Sequence, residues 1–219
     1  MDSVFDTTDA GSRPLRADAA RNRELILETA AVVFAEHGLE AGYDEIARRA
    51  GVGVGTVYRR FPERAELVQA LFETIVDELV GLAAEAADRP DPWEALVWFI
   101  EGTLERQTAN RGLKEVMFGT LSEDDHMVMG RDRITPGVAR LVDRAQLDGS
   151  LRADVTAADI GMQVMLISAM TTDEQPDLWR RFLAVMLEGL RARPGQLRLP
   201  EAPPHDDSVP RLMHNLHGR

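Results

Sequence analysis

The chain of 219 residues contains no cysteine, so disulfide bonds and metal sites built on thiolates are excluded. Aromatic residues make up only 5% of it, and lysine occurs once against 24 arginines. No apolar run approaches the roughly 20 residues that a membrane-spanning helix needs. The first six residues are acidic and lack the apolar centre of a secretory signal. These absences predict a cytoplasmic protein that does not enter the membrane.

The net charge of −12 is distributed unevenly along the chain. Residues 13–72 carry nine arginines and nine acidic residues, whereas residues 1–12 carry a charge of −3 and residues 73–219 carry −9. Because the excess acidity lies outside residues 13–72, that region can present a basic face wherever its arginines cluster. Arginine in place of lysine favours forked contacts to phosphate and guanine, although coding bias produces the same ratio.

Residues 46–61, IARRAGVGVGTVYRRF, have the pattern of a helix-turn-helix. A charged, helix-forming run ends just before Gly51, which suits the left-handed conformation that closes many helices. Val52 offers apolar bulk that can wedge between two helices. A second short helix is then predicted over residues 54–61, and the proline that follows closes it.

The second helix of this pattern has the residues expected of a DNA recognition helix. Gly53 and Gly55 leave its start nearly bare, so that its backbone can approach a bulky partner closely. Side chains that can donate hydrogen bonds to base edges and phosphates follow at Thr56, Tyr58, Arg59 and Arg60.

Two other interpretations of this stretch exist. A glycine-rich phosphate loop must follow a buried strand, whereas residues 44–50 are charged and helix-forming, and no Gly-Lys-Ser/Thr follows. An ordinary helical corner without a DNA role would be favoured if the turn pattern stood alone. The neighbouring residues decide against that interpretation.

With those neighbours included, the stretch from about Arg21 to Phe72 resembles the N-terminal domain of the TetR family of transcriptional regulators. The matching segments are residues 26–38, 44–50, 51–61 and 63–67. Gly42 departs from the family pattern, which usually has a capping Ser or Thr there, at a cost of roughly a few tenths of a kcal/mol. Tyr43 departs as well, since a small or aliphatic residue is common at that position.

The resemblance implies a ligand-responsive transcriptional repressor that binds a palindromic DNA operator as a homodimer and is released by a small-molecule effector. Thr56 and Arg59 are expected to touch bases, and the other polar side chains of the set to hold the DNA backbone. The expected DNA-contacting residues are Tyr43, Gly53, Val54, Gly55, Thr56, Tyr58, Arg59, Arg60 and Arg64. In the family mechanism, ligand shifts the long helix after this domain and changes the distance between the two recognition helices.

Helical periodicity continues through the rest of the chain, which predicts an all-α fold. The expected division is a flexible arm at 1–17, a helix-turn-helix DNA-binding domain at 18–62, a helical ligand-binding and dimerisation domain at 63–193, and a flexible tail at 194–219. Asp18 is predicted to cap the first helix. Basic residues of the arm could reach phosphate or the minor groove, or could simply be solvated: Arg13, Arg16, Arg21 and Arg23. Later helices are predicted at 63–87, 92–109, 112–121, 123–147 with a break at Pro136-Gly137, 156–170 and 176–192.

Two sets of residues in the second domain are expected to have functions that the resemblance implies, although core packing explains each residue equally simply. Bulky, adaptable side chains are predicted to line a small-molecule pocket: Trp98, Phe99, Met117, Phe118, Met127, Met129, Met162 and Met165. Apolar positions on the last two helices are predicted to form a four-helix dimer interface: Ile160, Val164, Ile167, Leu178, Phe182, Val185, Met186 and Leu190.

The sequence offers little support for catalysis, and no catalytic residue, metal site or cofactor is expected. His214 and His217 are spaced as metal ligands, but no rigid element in the proline-rich tail fixes further ligands. Two rival functions remain. An all-helical enzyme or ligand carrier would show titratable residues converging on the methionine-lined pocket. A protein-interaction bundle would bury the face formed by Arg59 and Arg60 against a partner.

Overall fold

The structure, a computed structural model, describes residues 12–109, 124–172 and 174–203. This part of the chain forms eight α-helices and no β-strand, which confirms the predicted all-α fold. The helices are α1 (Ser12–His37), α2 (Tyr43–Ala50), α3 (Val54–Arg60), α4 (Arg64–Ala87), α5 (Pro92–Ala109), α6 (Asp124–Leu147), α7 (Ala157–Met170) and α8 (Leu178–Leu190). The predicted helix at 112–121 lies outside the described residues.

The first three helices and the start of α4 close around one apolar core. Apolar side chains at helical spacing along α1 pack with one fully buried residue from each of α2, α3 and α4. The fully enclosed members are Ile26, Ala30, Val33, Phe34, Ile46, Val57 and Leu67. Because α2 and α3 are only eight and seven residues long, this shared core holds them in place rather than their own helix propensity.

The turn between α2 and α3 has the geometry that the glycine pattern predicts. Gly51 ends α2 with φ 66° and ψ 26°, in the left-handed region. The N–H of Val52 donates to the carbonyl of Ala47 at 3.0 Å, which satisfies one of the free carbonyls at the end of α2. Val52 itself packs against the core. The helix-turn-helix is therefore present.

α4 joins this unit to the remaining helices. Its apolar face is buried along its whole length, as the sequence periodicity predicted, and α6 makes the most extensive contact with it. The approach is close, because a β-carbon at Gly137 would lie 2.9 Å from that of Ala83, and one at Gly130 would lie 2.6 Å from the ring of Phe72. Both glycines are needed for α6 to pack at this distance.

An arginine from α6 satisfies the C-terminal end of α4. The last turn of α4 contains no basic residue of its own. Arg144 donates from one guanidinium nitrogen to the carbonyl of Ala87 at 2.6 Å and from the other to that of Arg89 at 2.8 Å. These bonds fix α6 to the end of α4 by pairing carbonyls that the helix leaves free.

Two predictions at the N-terminal end are wrong: residues 12–17 of the predicted flexible arm are helical, and Asp18 does not cap the first helix. α1 begins at Ser12, and Pro14 falls in its first turn, where a missing N–H breaks no helical hydrogen bond. Asp18 lies inside the helix and pairs with Arg21 at 3.1 Å instead of capping it. Residues 1–11 lie outside the described residues.

Two further boundaries differ from those predicted. α6 runs through Pro136 without a break, although an internal proline costs a helix roughly 3 kcal/mol. The tail expected from residue 194 begins with fixed contacts. Arg152 donates to the carbonyl of Leu197 at 3.0 Å, and the N–H of Leu199 donates to Asp154 at 2.7 Å.

The left-handed turn gives a direct stability test. Replacing Gly51 with alanine should lower the free energy of unfolding by about 1 kcal/mol, since the left-handed region costs an L-residue about that much. A β-carbon there meets no atom within 4 Å, so the cost is conformational only. Urea denaturation followed by circular dichroism measures it.

Gly81 on α4 provides the matched control for this substitution. It is exposed, also has open space around a β-carbon, and has no positive φ. Gly81→Ala should raise the stability by about 0.5–1 kcal/mol, the usual gain in a helix interior. Equal effects of the two substitutions would contradict the assigned turn.

Candidate nucleic-acid interface

α3 buries one side chain and exposes most of the others. Val57 is fully buried, whereas Tyr58 is 54% exposed and Arg59 and Arg60 are exposed. Thr56 is partly exposed and lies three and four residues before the two arginines, on the same side of the helix. The helix is thus held by its one apolar anchor and presents a polar surface away from the core.

No contact within the chain accounts for the two glycines at the start of α3. A β-carbon at Gly55 would meet no atom within 4 Å, and one at Gly53 would meet only the hydroxyl of Thr56, at 3.9 Å. Both glycines have negative φ. Neither packing nor a positive φ within the chain therefore requires glycine at these two positions.

The two arginines at the end of α2 form ion pairs with neighbouring carboxylates. Glu45 accepts from Arg48 at 2.6 Å and from Arg49 at 2.6 Å, and Arg49 also pairs with Glu36 at 2.6 Å. These hydrogen bonds lower the pKa of Glu45 from its ordinary 4.5 to about 2, so the carboxylate stays charged at neutral pH. Arg48 and Arg49 of α2 are consequently engaged in ion pairs within the protein.

Tyr43, predicted to reach the DNA backbone, is 5% exposed. Its hydroxyl donates to the carbonyl of Glu63 at 3.2 Å, and its ring lies 4.9 Å from that of Tyr58. Burial raises the pKa of the Tyr43 hydroxyl. The structure thus gives Tyr43 an internal role: its ring contacts that of Tyr58, and its hydroxyl links α2 to the start of α4.

Arg64, predicted to contact phosphate, is directed to the protein backbone instead. One guanidinium nitrogen donates to the carbonyl of Leu39 and the other to that of Ala41 at 2.9 Å. The same group lies 5.8 Å from the centre of the Tyr43 ring. Sequence reasoning missed this role because the partners are main-chain carbonyls of the loop between α1 and α2, which no side-chain pattern reveals.

The basic residues assigned to the N-terminal arm have mixed positions. Arg21 pairs with Asp18, and the guanidinium of Arg23 lies 5.7 Å from the centre of the Phe61 ring, close to the end of α3. The side chains of Arg13 and Arg16 lie outside the described residues. Of the four arginines, Arg23 is the one that the structure brings beside the helix-turn-helix.

The predicted pocket residues are only partly described. Phe99 and Met165 are buried, and Trp98 and Met162 are partly buried, with the guanidinium of Arg89 over the Trp98 ring at 4.2 Å. The remaining predicted lining lies outside the described residues: Met117, Phe118 and the side chains of Met127 and Met129. Two of the eight predicted residues, Phe99 and Met165, therefore lie in the interior of the second domain.

The predicted dimer interface needs a larger correction. Five of its eight residues are buried in the chain's own core, where a second copy cannot contact them: Ile160, Val164, Ile167, Met186 and Leu190. Leu178 and Phe182 are partly exposed, and Val185 is 64% exposed. Leu166 and Met170 of α7, which were not in the predicted set, are 40% and 53% exposed.

The exposed apolar residues form one stripe on the pair of helices α7 and α8, which we call the α7–α8 stripe. Its members recur at helical spacing beside the buried face: Met162, Leu166, Met170, Leu178, Phe182 and Val185. Gly161 and Gly189 lie next to it, are exposed, and have open space around a β-carbon. On α8 each stripe residue lies one position before a buried residue, and on α7 the stripe residues recur every four positions.

The described residues contain no group of three or more potential metal ligands. None of the helices in that part of the chain is long and apolar enough to cross a membrane. His214 and His217 lie outside it.

Comparison with known proteins relates both parts of the chain to one group. Residues 26–71 match the family model described as bacterial regulatory proteins, tetR family, and residues 91–192 match the SbtR-like C-terminal domain of transcriptional regulators.

Two solved structures of TetR regulators are similar over most of their length. One from Mycobacterium vanbaalenii is 35% identical with a TM-score of 0.62, covering 82% of this chain and 100% of the other. One from Streptomyces coelicolor is 31% identical with a TM-score of 0.63, covering 78% and 98%. The transcriptional repressor LfrR of Mycolicibacterium smegmatis is 42% identical over 72 residues, which is 33% of this chain and 35% of that repressor.

The two possible roles of Arg64 predict different measurements. Arg64→Ala should lower the free energy of unfolding by about 1–2 kcal/mol, because two part-buried carbonyls lose a charged donor. The slope of DNA affinity against salt concentration should not change, since no phosphate contact is removed. A slope reduced by about one, with unchanged stability, would restore the phosphate role.

Proposed function

This chain belongs to the TetR family of transcriptional regulators, DNA-binding transcription factors rather than enzymes, and we propose that it represses transcription by binding a palindromic operator as a homodimer. The observation that carries the proposal is the surface of α3, which is bare at its start, polar along one side and anchored by Val57 alone. Repression is the function named for LfrR. Its place of action is the cytoplasm, where the chromosome lies.

The proposed contacts divide by chemistry. Gly53, Val54 and Gly55 allow the start of α3 to enter the major groove closely. Thr56 and Arg59 reach base edges, since a hydroxyl can bond to several bases and a guanidinium bonds to guanine in a forked geometry. Tyr58 and Arg60 hold phosphates and set the register. Tyr43 and Arg64 act from within the protein, by supporting the position of Tyr58 and of the start of α4.

The α7–α8 stripe is the proposed contact with the second copy. Its exposed apolar residues would be paired in a two-fold arrangement, in which α7 and α8 meet their copies as a four-helix bundle. The exposed Gly161 and Gly189 would let the helices approach closely. A two-fold dimer presents two copies of α3 to two half-sites, which is why the operator is expected to be palindromic.

Effector release would act through α4. In its first turn, Arg64 donates a hydrogen bond to a carbonyl of the α1–α2 loop. At its last turn, Arg144 of α6 donates to the carbonyls of Ala87 and Arg89. A movement of α6 is therefore transmitted to the helix-turn-helix. A small molecule that binds the second domain better in one spacing of the two α3 helices than in the other would release DNA by its difference in affinity.

The rival functions have no comparable support. Family membership excludes the enzyme. A protein-interaction bundle would bury the Arg59 and Arg60 face against a partner, and the match to the TetR family favours DNA as the partner of that face.

Substitutions on α3 should separate base contacts from phosphate contacts. Arg60→Ala should weaken binding to all DNA sequences and reduce the salt slope by about one. Arg59→Ala and Thr56→Ala should change which sequence is preferred, with about 1–3 kcal/mol lost for the guanine contact of Arg59. Anisotropy titrations of operator and scrambled DNA at several salt concentrations measure both effects.

Arg140→Ala is the matched control, because Arg140 is an exposed arginine on α6 in the second domain. It should leave operator affinity and preference unchanged. Unchanged operator affinity in all three α3 variants would count against the proposed surface.

A charge placed in the α7–α8 stripe should break the dimer. Val185→Glu should raise the dimer dissociation constant at least about tenfold, because it would bury an unpaired carboxylate between two copies. Sedimentation velocity across a concentration series measures this. Leu147→Glu controls for the loss of an exposed apolar residue, since Leu147 is 89% exposed at the end of α6. If Val185→Glu remains as dimeric as Leu147→Glu, the interface lies elsewhere.

A further inference from the structure

The buried polar side chains of the described residues all lie at one end of two helices. They are Thr103, Gln107, Ser168 and Thr171, each at most 6% exposed. The first two belong to the C-terminal half of α5, and the other two to the C-terminal end of α7 and the residue after it. Everything else that is buried in the described second domain is apolar.

The helix directions bring these two ends together. Glu105 near the end of α5 pairs with Arg180 near the start of α8 at 3.5 Å, while Arg191 after the end of α8 lies over the ring of Trp93 at the start of α5. α5 and α8 are therefore antiparallel. α7 and α8 are joined by a short connection and packed together, so α7 runs parallel to α5 and their C-terminal ends lie at the same end of the bundle.

Two of the four side chains are satisfied and two are not. The hydroxyl of Thr103 donates to the carbonyl of Phe99 at 2.8 Å, and that of Thr171 donates to the carbonyl of Ile167 at 3.0 Å. Gln107 Oε1 and Ser168 Oγ are buried and have no hydrogen-bond partner in the described structure. Because a buried polar atom without a partner destabilises a fold, two of them at one end of one bundle require an explanation.

The chemistry of the two atoms defines what would pair with them. An amide oxygen only accepts hydrogen bonds, so its partner carries an N–H or O–H, whereas a serine hydroxyl both donates and accepts. No charged side chain is buried in the described residues, so an ion would find no opposite charge there. The adjacent Leu104 and Met165 are buried and apolar.

We propose that Gln107 and Ser168 form the polar end of the effector site, and that the effector is a neutral, mainly apolar molecule with a hydroxyl or amide N–H that Gln107 accepts. The assignment rests on the proposed function, since it names the ligand class of that regulator. The site lies at the end of α5 that faces the helix-turn-helix, because α5 turns back along α4 after the short connection at residues 88–91. A ligand there contacts α5, which packs against α4.

Stability of the ligand-free protein gives the first test. Ser168→Ala and Gln107→Leu remove unpaired polar atoms and should leave the urea midpoint unchanged or raise it. Thr103→Val is the matched control, because it removes a buried hydroxyl that is hydrogen-bonded, and it should lower the midpoint. If Ser168→Ala and Gln107→Leu both lower the midpoint as Thr103→Val does, the two side chains are structural and the proposal fails.

Binding of small probes gives the second test, with phenol and benzamide as neutral donors, toluene as the apolar match and benzoate as the charged one. Ligand-observed NMR titrations should show wild type binding phenol or benzamide about tenfold more tightly than toluene, with benzoate weakest. Ser168→Ala and Gln107→Leu should each remove about fivefold to tenfold of that preference, the usual effect of one hydrogen bond, and Thr103→Val none of it. Equal binding of phenol, benzamide and toluene, no binding of either donor probe, or a preference that survives both variants would overturn the assignment.

Operator binding separates this proposal from the one on which it rests. Without probe, Ser168→Ala and Gln107→Leu should each bind an operator selected from random DNA within about twofold of wild type, because Gln107 and Ser168 lie in the second domain. Wild type that binds no operator would contradict the regulator proposal. Variants that bind operator normally but keep the wild-type probe preference would contradict only the effector site.

Discussion

The continuous burial of α4 is the constraint on which the rest of the structure depends. One helix contributes Leu67 to the core of the helix-turn-helix and, further along the same face, Leu82 and Ala83 to the core of the second domain. At the start of α4, its own Arg64 donates to the carbonyl of Ala41 in the α1–α2 loop. At its end, Arg144 of α6 donates to the carbonyls of Ala87 and Arg89. The two parts of the chain are therefore joined by apolar packing and by charged hydrogen bonds, so that a displacement of α6 must displace α4 or break these contacts.

This arrangement explains why α3 can present so much of its surface. A seven-residue helix is unstable alone, and Val57 together with the turn at Gly51 fixes it against α1 and α2. Its remaining residues are then free from packing requirements. Glycine at positions 53 and 55 leaves open space at the start of the helix, as the proposed close approach to DNA requires. Gln107 and Ser168 likewise have buried polar atoms without a hydrogen-bond partner in the described chain, which the proposed effector would supply.

The sequence predicted the elements more accurately than the contacts between them. Helix periodicity and the glycine pattern located the all-α fold and the turn at Gly51, since both depend on local spacing. Tyr43 and Arg64 were assigned to DNA from the family resemblance, and their hydrogen bonds to the carbonyls of residues 39, 41 and 63 have no sequence signature. The dimer interface stays a prediction, and five of the eight residues named for it are buried, because α7 and α8 carry two apolar series and only packing shows which one is inside. Pro136 was taken as a break because an internal proline costs a helix roughly 3 kcal/mol, although α6 runs through it.

The central claim is that two copies of α3, held by a two-fold dimer, read one palindromic DNA site. Selection from random double-stranded DNA by the purified full chain, with nonspecific competitor present, tests it most directly. The account predicts enrichment of an inverted repeat whose half-site centres lie about one helical turn apart, about 10 base pairs, or a multiple of it. Enrichment of a single unrepeated sequence, or binding that disappears with competitor and enriches nothing, would contradict the account.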